Sequence, residues 1–265
     1  MPNRLLRHVM LMGLLAGLPM PAWAQNTSIA TSVHMLVGQT PMVVTLPTAT
    51  PDRYYDAAVV ATRSYCAEAT AAETETAQTD PVLVVYADSG GTTPLGTDTG
   101  TTTEPKGLTA ARVCFIAPAT QTVYLKLSPS GGAGGGFDNL AYSLRFVETT
   151  LWANWFFVGS DYSSFTLLRN TTNMAVSFDL RWRSDAGALV ATRLAQTIPA
   201  NGVIFLDARG TGLLNCPYPT ACATIAGSVE VAHTGSPEAI VGSQTTLASS
   251  TGLSFDTLLF QRRAW

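Results

Sequence analysis

His233, Ser236 and Glu238 stand close together in the chain, and an imidazole, a hydroxyl and a carboxylate are the groups that hydrolyse esters and amides when geometry links them. Past residue 24 the only other histidine is His34. There is no Gly-x-Ser-x-Gly elbow, no His-Glu-x-x-His helix pair, no Cys-x-x-Cys and no glycine loop followed by lysine to cradle a phosphate. The run His-Thr-Gly-Ser-Pro around Ser236 is turn chemistry, and closeness in sequence is not the geometry a base and nucleophile need. A small hydrolase using His233 is therefore the least favoured of three functional readings.

Aromatic rings offer a second chemistry. Trp152, Trp155, Phe156 and Phe157 fall within six positions, and exposed flat rings stack on sugars. Trp152 and Trp155 are the candidate ligand-binding residues, against the alternative that the cluster is buried at a junction between two modules. Asp88, Asp98, Glu104 and Asp138 are scattered carboxylates of the kind calcium accepts, but no spaced ligand loop organises them, and aspartates in such tracts more often shape turns. No metal and no cofactor are expected.

All four cysteines lie beyond residue 24, two in each half: Cys66 and Cys114, then Cys216 and Cys222. In an oxidising compartment they read as two disulfides, most simply paired within each half, although four cysteines allow three connectivities. Zinc is the competing explanation. The spacing lacks close cysteine pairs of a structural zinc site, and no histidine stands near any of the four.

The compartment is written at the start of the chain. Arg4, Arg7 and His8 precede a short apolar run, Val9–Leu18, and Ala22-Trp23-Ala24 supplies small residues where a signal peptidase cuts. Residues 1–24 thus read as a cleaved export signal, too short in its apolar part to span a bilayer. The remaining 241 residues, from 265 less 24, suffice for two modest cores. Residues 25–148 hold eleven acids against six bases, and residues 149–265 hold seven of each. Neither half offers the concentrated basic surface that nucleic acid needs, so nucleic acid is an improbable partner, and stable membrane insertion is not expected either.

Short runs of β-branched and aromatic residues separated by turn formers recur throughout, with no sustained helical period. Strands are expected at His34–Val37, Met42–Leu46, Tyr54–Val60, Ser64–Ala67, Val82–Ala87, Arg112–Ile116, Thr122–Leu127 and Ala141–Val147. A second series is expected at Trp155–Val158, Ser164–Asn170, Ala175–Arg183, Leu189–Ile198, Val203–Asp207, Ala226–His233, Ile240–Thr246 and Thr257–Arg262. In the third of these, Val176, Phe178, Leu180 and Trp182 share a dry face against Ser177, Asp179, Arg181 and Arg183, and Ser184–Gly187 turns the chain into a hairpin. Ala67–Ala77 is expected to be an acidic loop, and Ser89–Lys106 and Ser128–Gly136 are expected to be turn-rich.

The order Asp80-Pro81-Val82-Leu83-Val84-Val85-Tyr86-Ala87-Asp88-Ser89-Gly90-Gly91, then Val113-Cys114-Phe115-Ile116, Val123–Leu127, a glycine-rich loop and Ala141–Phe146 resembles the bacterial pre-peptidase C-terminal domain. The likeness covers roughly residues 35–148. It implies a jelly-roll-like β-sandwich found beside secreted enzymes, assisting their folding, secretion or substrate attachment. Some members bind calcium through an acidic entrance segment, and residues 25–40 here contain no acid. Phe165–Thr172, Ile198–Gly202 and Gly227–Val231 are similar to an immunoglobulin-like sandwich of secreted bacterial proteins, over about residues 155–263; this implies a fold but no activity.

The expected molecule is all-β: a signal peptide (1–24), a pre-peptidase C-terminal-like sandwich (25–148) and an immunoglobulin-like sandwich (149–265). The favoured function is a non-catalytic periplasmic or extracellular protein with a binding, adhesion or structural role at the cell envelope, its partner an extracellular protein or polysaccharide. The alternative is an accessory that attaches a secreted peptidase or glycosidase to its substrate.

Overall fold

The computed structural model describes residues 26–46, 52–71, 81–98, 110–129, 140–210, 213–217, 222–248 and 250–262. The expected leader, the glycine tract at 131–136, Glu104 and Asp138 lie outside the described residues. Within them the protein is all-β, with one 3-10 turn at Ile29–Thr31.

The first half contributes β1 (Val33–His34), β2 (Met42–Leu46), β3 (Arg53–Val59), β4 (Ser64–Ala71), β5 (Pro81–Tyr86), β6 (Pro94–Asp98), β7 (Ala110–Ile116), β8 (Gln121–Pro129) and β9 (Leu140–Glu148). They form two sheets, ordered β1-β3-β8-β5-β6 and β2-β9-β4-β7. The pairs β2·β9, β3·β8, β4·β7 and β5·β6 are the rungs of one long antiparallel hairpin, rolled so that successive rungs alternate between sheets, which is a jelly roll. Period-2 alternation drives the roll: β8 turns Val123, Leu125 and Leu127 inward, and Leu83, Val85, Tyr142, Leu144 and Phe146 meet them in the core. Each such side chain contributes about 1.5–3 kcal/mol on full burial.

Two expectations fail here for identifiable reasons. The tract from Ser89 contains β6, whose Pro94 is tolerated because β6 is an edge strand and whose Gly96 is required because an added Cβ would lie 2.6 Å from Val113 Cγ1. The segment from Ala67 is strand as far as Ala71, because Ala67 and Ala69 alternate into the core and pair with Phe146 and Leu144 of β9; residues 72–77 lie outside the described residues.

The second half contributes β10 (Leu151–Val158), β11 (Tyr162–Asn170), β12 (Val176–Ser184), β13 (Leu189–Ile198), β14 (Val203–Asp207), β15 (Ile225–His233), β16 (Ile240–Ala248), β17 (Ser254–Leu259) and β18 (Gln261–Arg262). The sheets are β13-β12-β15-β10-β18 and β14-β11-β16-β17. Every pairing in both sheets is antiparallel, and the chain crosses between them repeatedly: β10, β12, β13 and β15 lie in the first sheet, β11, β14, β16 and β17 in the second. The single strand expected at Thr257–Arg262 is two pieces that change sheets at Phe260. Val176, Phe178, Leu180 and Trp182 are buried together, and Gly187 at φ +78° closes the hairpin, donating its amide to Ser184 O at 2.7 Å.

The opposite face of β12 is not uniformly wet. Arg181 is buried because the first half packs there: it donates to Thr62 O at 3.3 Å and to Asp179 at 2.8 Å. Along the same seam Thr149 N donates to Ser64 O, Ser64 N donates to Thr150 Oγ1, and Arg63 pairs with Glu148 at 3.2 Å.

Candidate functional site

The four aromatic residues at the start of β10 serve three different ends. Between Ala153 and Phe156 the β10·β15 register shifts, so Leu151, Ala153, Phe156 and Val158 point inward while Trp152, Trp155 and Phe157 point out. Phe156 is core. Trp152 lies in the seam, with the Arg63 guanidinium 5.5 Å from its ring centre. Trp155 stacks on Phe157 at 5.9 Å with planes 17° apart, and Tyr162 meets Phe157 edge-on at 5.6 Å. The three rings are partly buried.

Tyr162 was not singled out from sequence. The chain turns through Gly159 and Ser160, with Gly159 N donating to Tyr162 O at 3.1 Å, and this corner brings the head of β11 back to Phe157. A Cβ on Gly159 would stand 3.2 Å from the Phe157 ring, so glycine leaves the ring its place. Beyond the two residues that pair with β18, the outer edge of β10 beside this row carries no described strand.

The hydrolytic set does not assemble. His233 is fully buried, level with Phe178 across the β12·β15 pair, and neither ring nitrogen has a well-aligned hydrogen bond. Burial pushes its pKa down to about 4, helped by the positive charge of Arg262 and opposed by the nearby backbone of Thr149 and Gly235. The turn expected around Ser236 is present, Ser236 O accepting from Ala239 N, but His233 lies behind it and Glu238 turns to Arg262 at 3.5 Å.

The other histidine belongs to a set that sequence reading missed. His34 Nδ1 lies 2.7 Å from Asp56 Oδ1, and Ser32 Oγ donates to Asp56 Oδ2 at 2.7 Å, on the rim of a basin of about 500 Å³ that includes Tyr124. The parallel pairing of β1 with β3 puts His34 opposite Asp56, a contact no local pattern announces. The carboxylate is the hub here, and the serine bonds to the acid rather than to the imidazole, unlike a relay in which histidine takes the nucleophile's proton.

The acidic candidates that fall on described residues serve the backbone. Asp88 accepts from the amides of Gly90, Thr92 and Thr93; slight desolvation raises its pKa, the bonds from Thr92 and Thr93 outweigh it, and the carboxyl titrates below its ordinary value. Asp98 accepts from Arg112 N at 2.6 Å. Arg112 and Arg145 both pair with buried Glu68, beside a seam cleft of about 260 Å³ that Cys114 and Met174 help to line.

Both disulfides form within halves. Cys66 and Cys114 face each other directly across β4 and β7, with Cα atoms 4.1 Å apart, and Cys66 Sγ rests 3.4 Å from Gly235 O of the other half. Cys216 and Cys222 are bonded beside Arg209, which is buried and donates to the carbonyls of Cys216, Gly159 and Ser160. Among the described residues no helix is long and apolar enough to cross a membrane.

No family model matches the chain, and no curated protein matches it in sequence. Among solved structures it is similar to a glycosyl hydrolase family 2 member from Bacteroides cellulosilyticus, at 8% identity and a TM-score of 0.23, covering 79% of this chain and 28% of that one. It is also similar to a family 2 β-glucuronidase, at 8% identity and a TM-score of 0.20, covering 79% of this chain and 23% of the other. The extracellular region of zebrafish Gpr126/Adgrg6 matches at 10% identity and a TM-score of 0.21, covering 86% of this chain and 31% of that one. The chain thus spans less than a third of each, and likenesses of this strength carry no argument about what it does.

Proposed function

We propose that this chain is an exported, non-catalytic binding protein whose joined sandwiches present the Trp155–Phe157–Tyr162 row to a polysaccharide at or outside the cell envelope. The row carries the reading: neighbouring, partly exposed rings beside a strand edge that no described strand covers suit the apolar faces of sugar rings. The leader pattern and the two disulfides support export to an oxidising compartment. The sealing of His233 supports a role without catalysis.

Affinity electrophoresis and sedimentation with insoluble envelope and plant glycans test the proposal. Retention by at least one glycan, lost in Trp155→Ala and kept in Trp152→Ala, is the expected result. Retention that survives both Trp155→Ala and Phe157→Ala, or turnover of a glycan by purified protein, overturns it. The rolled-hairpin pairing of the first half favours a second reading, in which a pre-peptidase C-terminal-like module helps a secreted peptidase or glycosidase acting in trans. That version expects the enzyme's activity on insoluble substrate to rise saturably when the chain is added.

A further inference from the structure

In the sheet β14-β11-β16-β17 the core receives Leu168, Ile240, Ile204 and Leu206, but the middle of β11 and β16 turns polar side chains inward. Strand β11 turns Ser164, Thr166, Leu168 and Asn170 into the interior, all fully buried, and three of the four are polar. Ser164 Oγ lies 2.7 Å from Thr246 Oγ1, and Thr166 Oγ1 donates to Gln244 Oε1 at 2.5 Å. The alternate residues, Phe165 and Leu167, face away from the core. Register places Phe205 beside Leu167 on one side and Ser243, then Leu259, on the other, while Val203 and Val241 flank Arg169. Leu167, Val203, Phe205, Val241 and Leu259 keep between 41% and 70% of their surface exposed, and Phe165 stacks on Phe205 at 5.2 Å.

A sheet with one solvated face ordinarily does the reverse, apolar in and polar out. Shifting the register by one residue would invert it. Here the buried hydroxyls have partners and the phenylalanines have none in the core, so the outward apolar face is a feature of the pairing and marks a contact surface.

We infer that this face is covered by the same face of a second copy, related by a two-fold axis. The exposed portions of these side chains sum to roughly 500 Å² per copy, so pairing two faces buries roughly 1,000 Å², where specific interfaces begin, before Ser243, Thr245 and Thr257 are added. Pairing a face with its own copy is isologous association, the commonest closed arrangement of homo-oligomers.

Charge selects the arrangement. Among the described residues Arg169 is the cation of this face, at one end of β11, and Asp207, level with Phe165, lies at the other. An axis along the strands sets Arg169 on the partner's Arg169. An axis across the strands at Leu167 lays β11 antiparallel on its copy, so that Arg169 covers the partner's Phe165 and lies diagonal to the partner's Asp207. The second arrangement is the one the surface fits.

Sedimentation equilibrium of the oxidised mature chain tests this. A micromolar dimer is expected, with the dissociation constant raised on the order of thirtyfold by Phe205→Glu and about tenfold by Arg169→Glu, while circular dichroism stays native. Leu167→Cys, with its thiol on the axis, should cross-link to its own copy on oxidation, whereas Leu194→Cys, exposed on β13 of the other sheet, should not. A monomer throughout the micromolar range, a dimer indifferent to Phe205→Glu, or equal cross-linking from both cysteine variants overturns the inference.

Discussion

Acid should weaken this protein through His233 in a window that a single substitution can isolate. The folded ring titrates at about 4, against an ordinary 6.5, so the two states differ by about 2.5 pH units in proton affinity. Above pH 6.5 the ring is neutral folded or unfolded, and stability does not depend on it. Between 6.5 and 4 the unfolded chain takes up a proton that the folded chain refuses, so stability falls as pH falls. Below 4 both states are protonated and the loss stops, after a total of about 3 kcal/mol at 1.36 kcal/mol per unit. Carboxylates titrate in the same range, so the measurement is a difference. Urea unfolding followed by tryptophan fluorescence, from neutral pH down to 4, is compared between the wild type and His233→Leu, which keeps the volume and removes the proton site. The gap between the two curves should shift in favour of the variant by about 3 kcal/mol across the window. Parallel curves, or an imidazole NMR signal that titrates at the ordinary value in the folded protein, would refute the reasoning.

The other predictions concern the frame. A Cβ on Gly227 would stand 1.8 Å from Arg183 O, a backbone atom with nowhere to go, so Gly227→Ala should cost about 3 kcal/mol or more and show as a lowered Tm. Removing Cys66–Cys114, whose partners are 48 positions apart, should cost about 4 kcal/mol, and removing Cys216–Cys222, 6 apart, about 2 kcal/mol, by the entropy of the loops each closes; equal losses in denaturant titrations would contradict the loop-length argument. Arg63→Ala strands the buried Glu148 carboxylate and uncovers Trp152, so it should cost about 2–3 kcal/mol and split unfolding into two transitions, one for each half.

What sequence pattern could reveal divides along physical lines. Strands rich in β-branched and apolar residues between turn formers were placed within a residue or two: Met42–Leu46, Leu189–Ile198 and Val203–Asp207 match throughout, and the dry face of β12 is the one expected. β6 was hidden because a proline and a glycine on an edge strand look like a turn. The tail of β4 was hidden because its alanines carry no β signal until Leu144 and Phe146 stand opposite. Contacts between distant segments were out of reach altogether. Ser32, His34 and Asp56 meet only because β1 lies along β3, and Tyr162 joins the aromatic row only through a corner between two sheets.

Alternation says that two faces of a strand differ, but which face turns inward depends on what the facing sheet supplies. In the second half β10 and β12 bring Phe156, Phe178, Leu180 and Trp182 into the core. The sheet across from them offers Ser164, Thr166, Leu168 and Thr246 to the interior, and Gly242, opposite Leu168, makes way for its own sheet, since an added Cβ would lie 2.5 Å from Leu167 O. Turning Phe165 and Leu167 inward instead would overpack the core, a change that typically costs about 1–3 kcal/mol. With Leu168 already in the core beside Ser164 and Thr166, Phe165 and Leu167 stay outside and become the surface on which a second copy can dock.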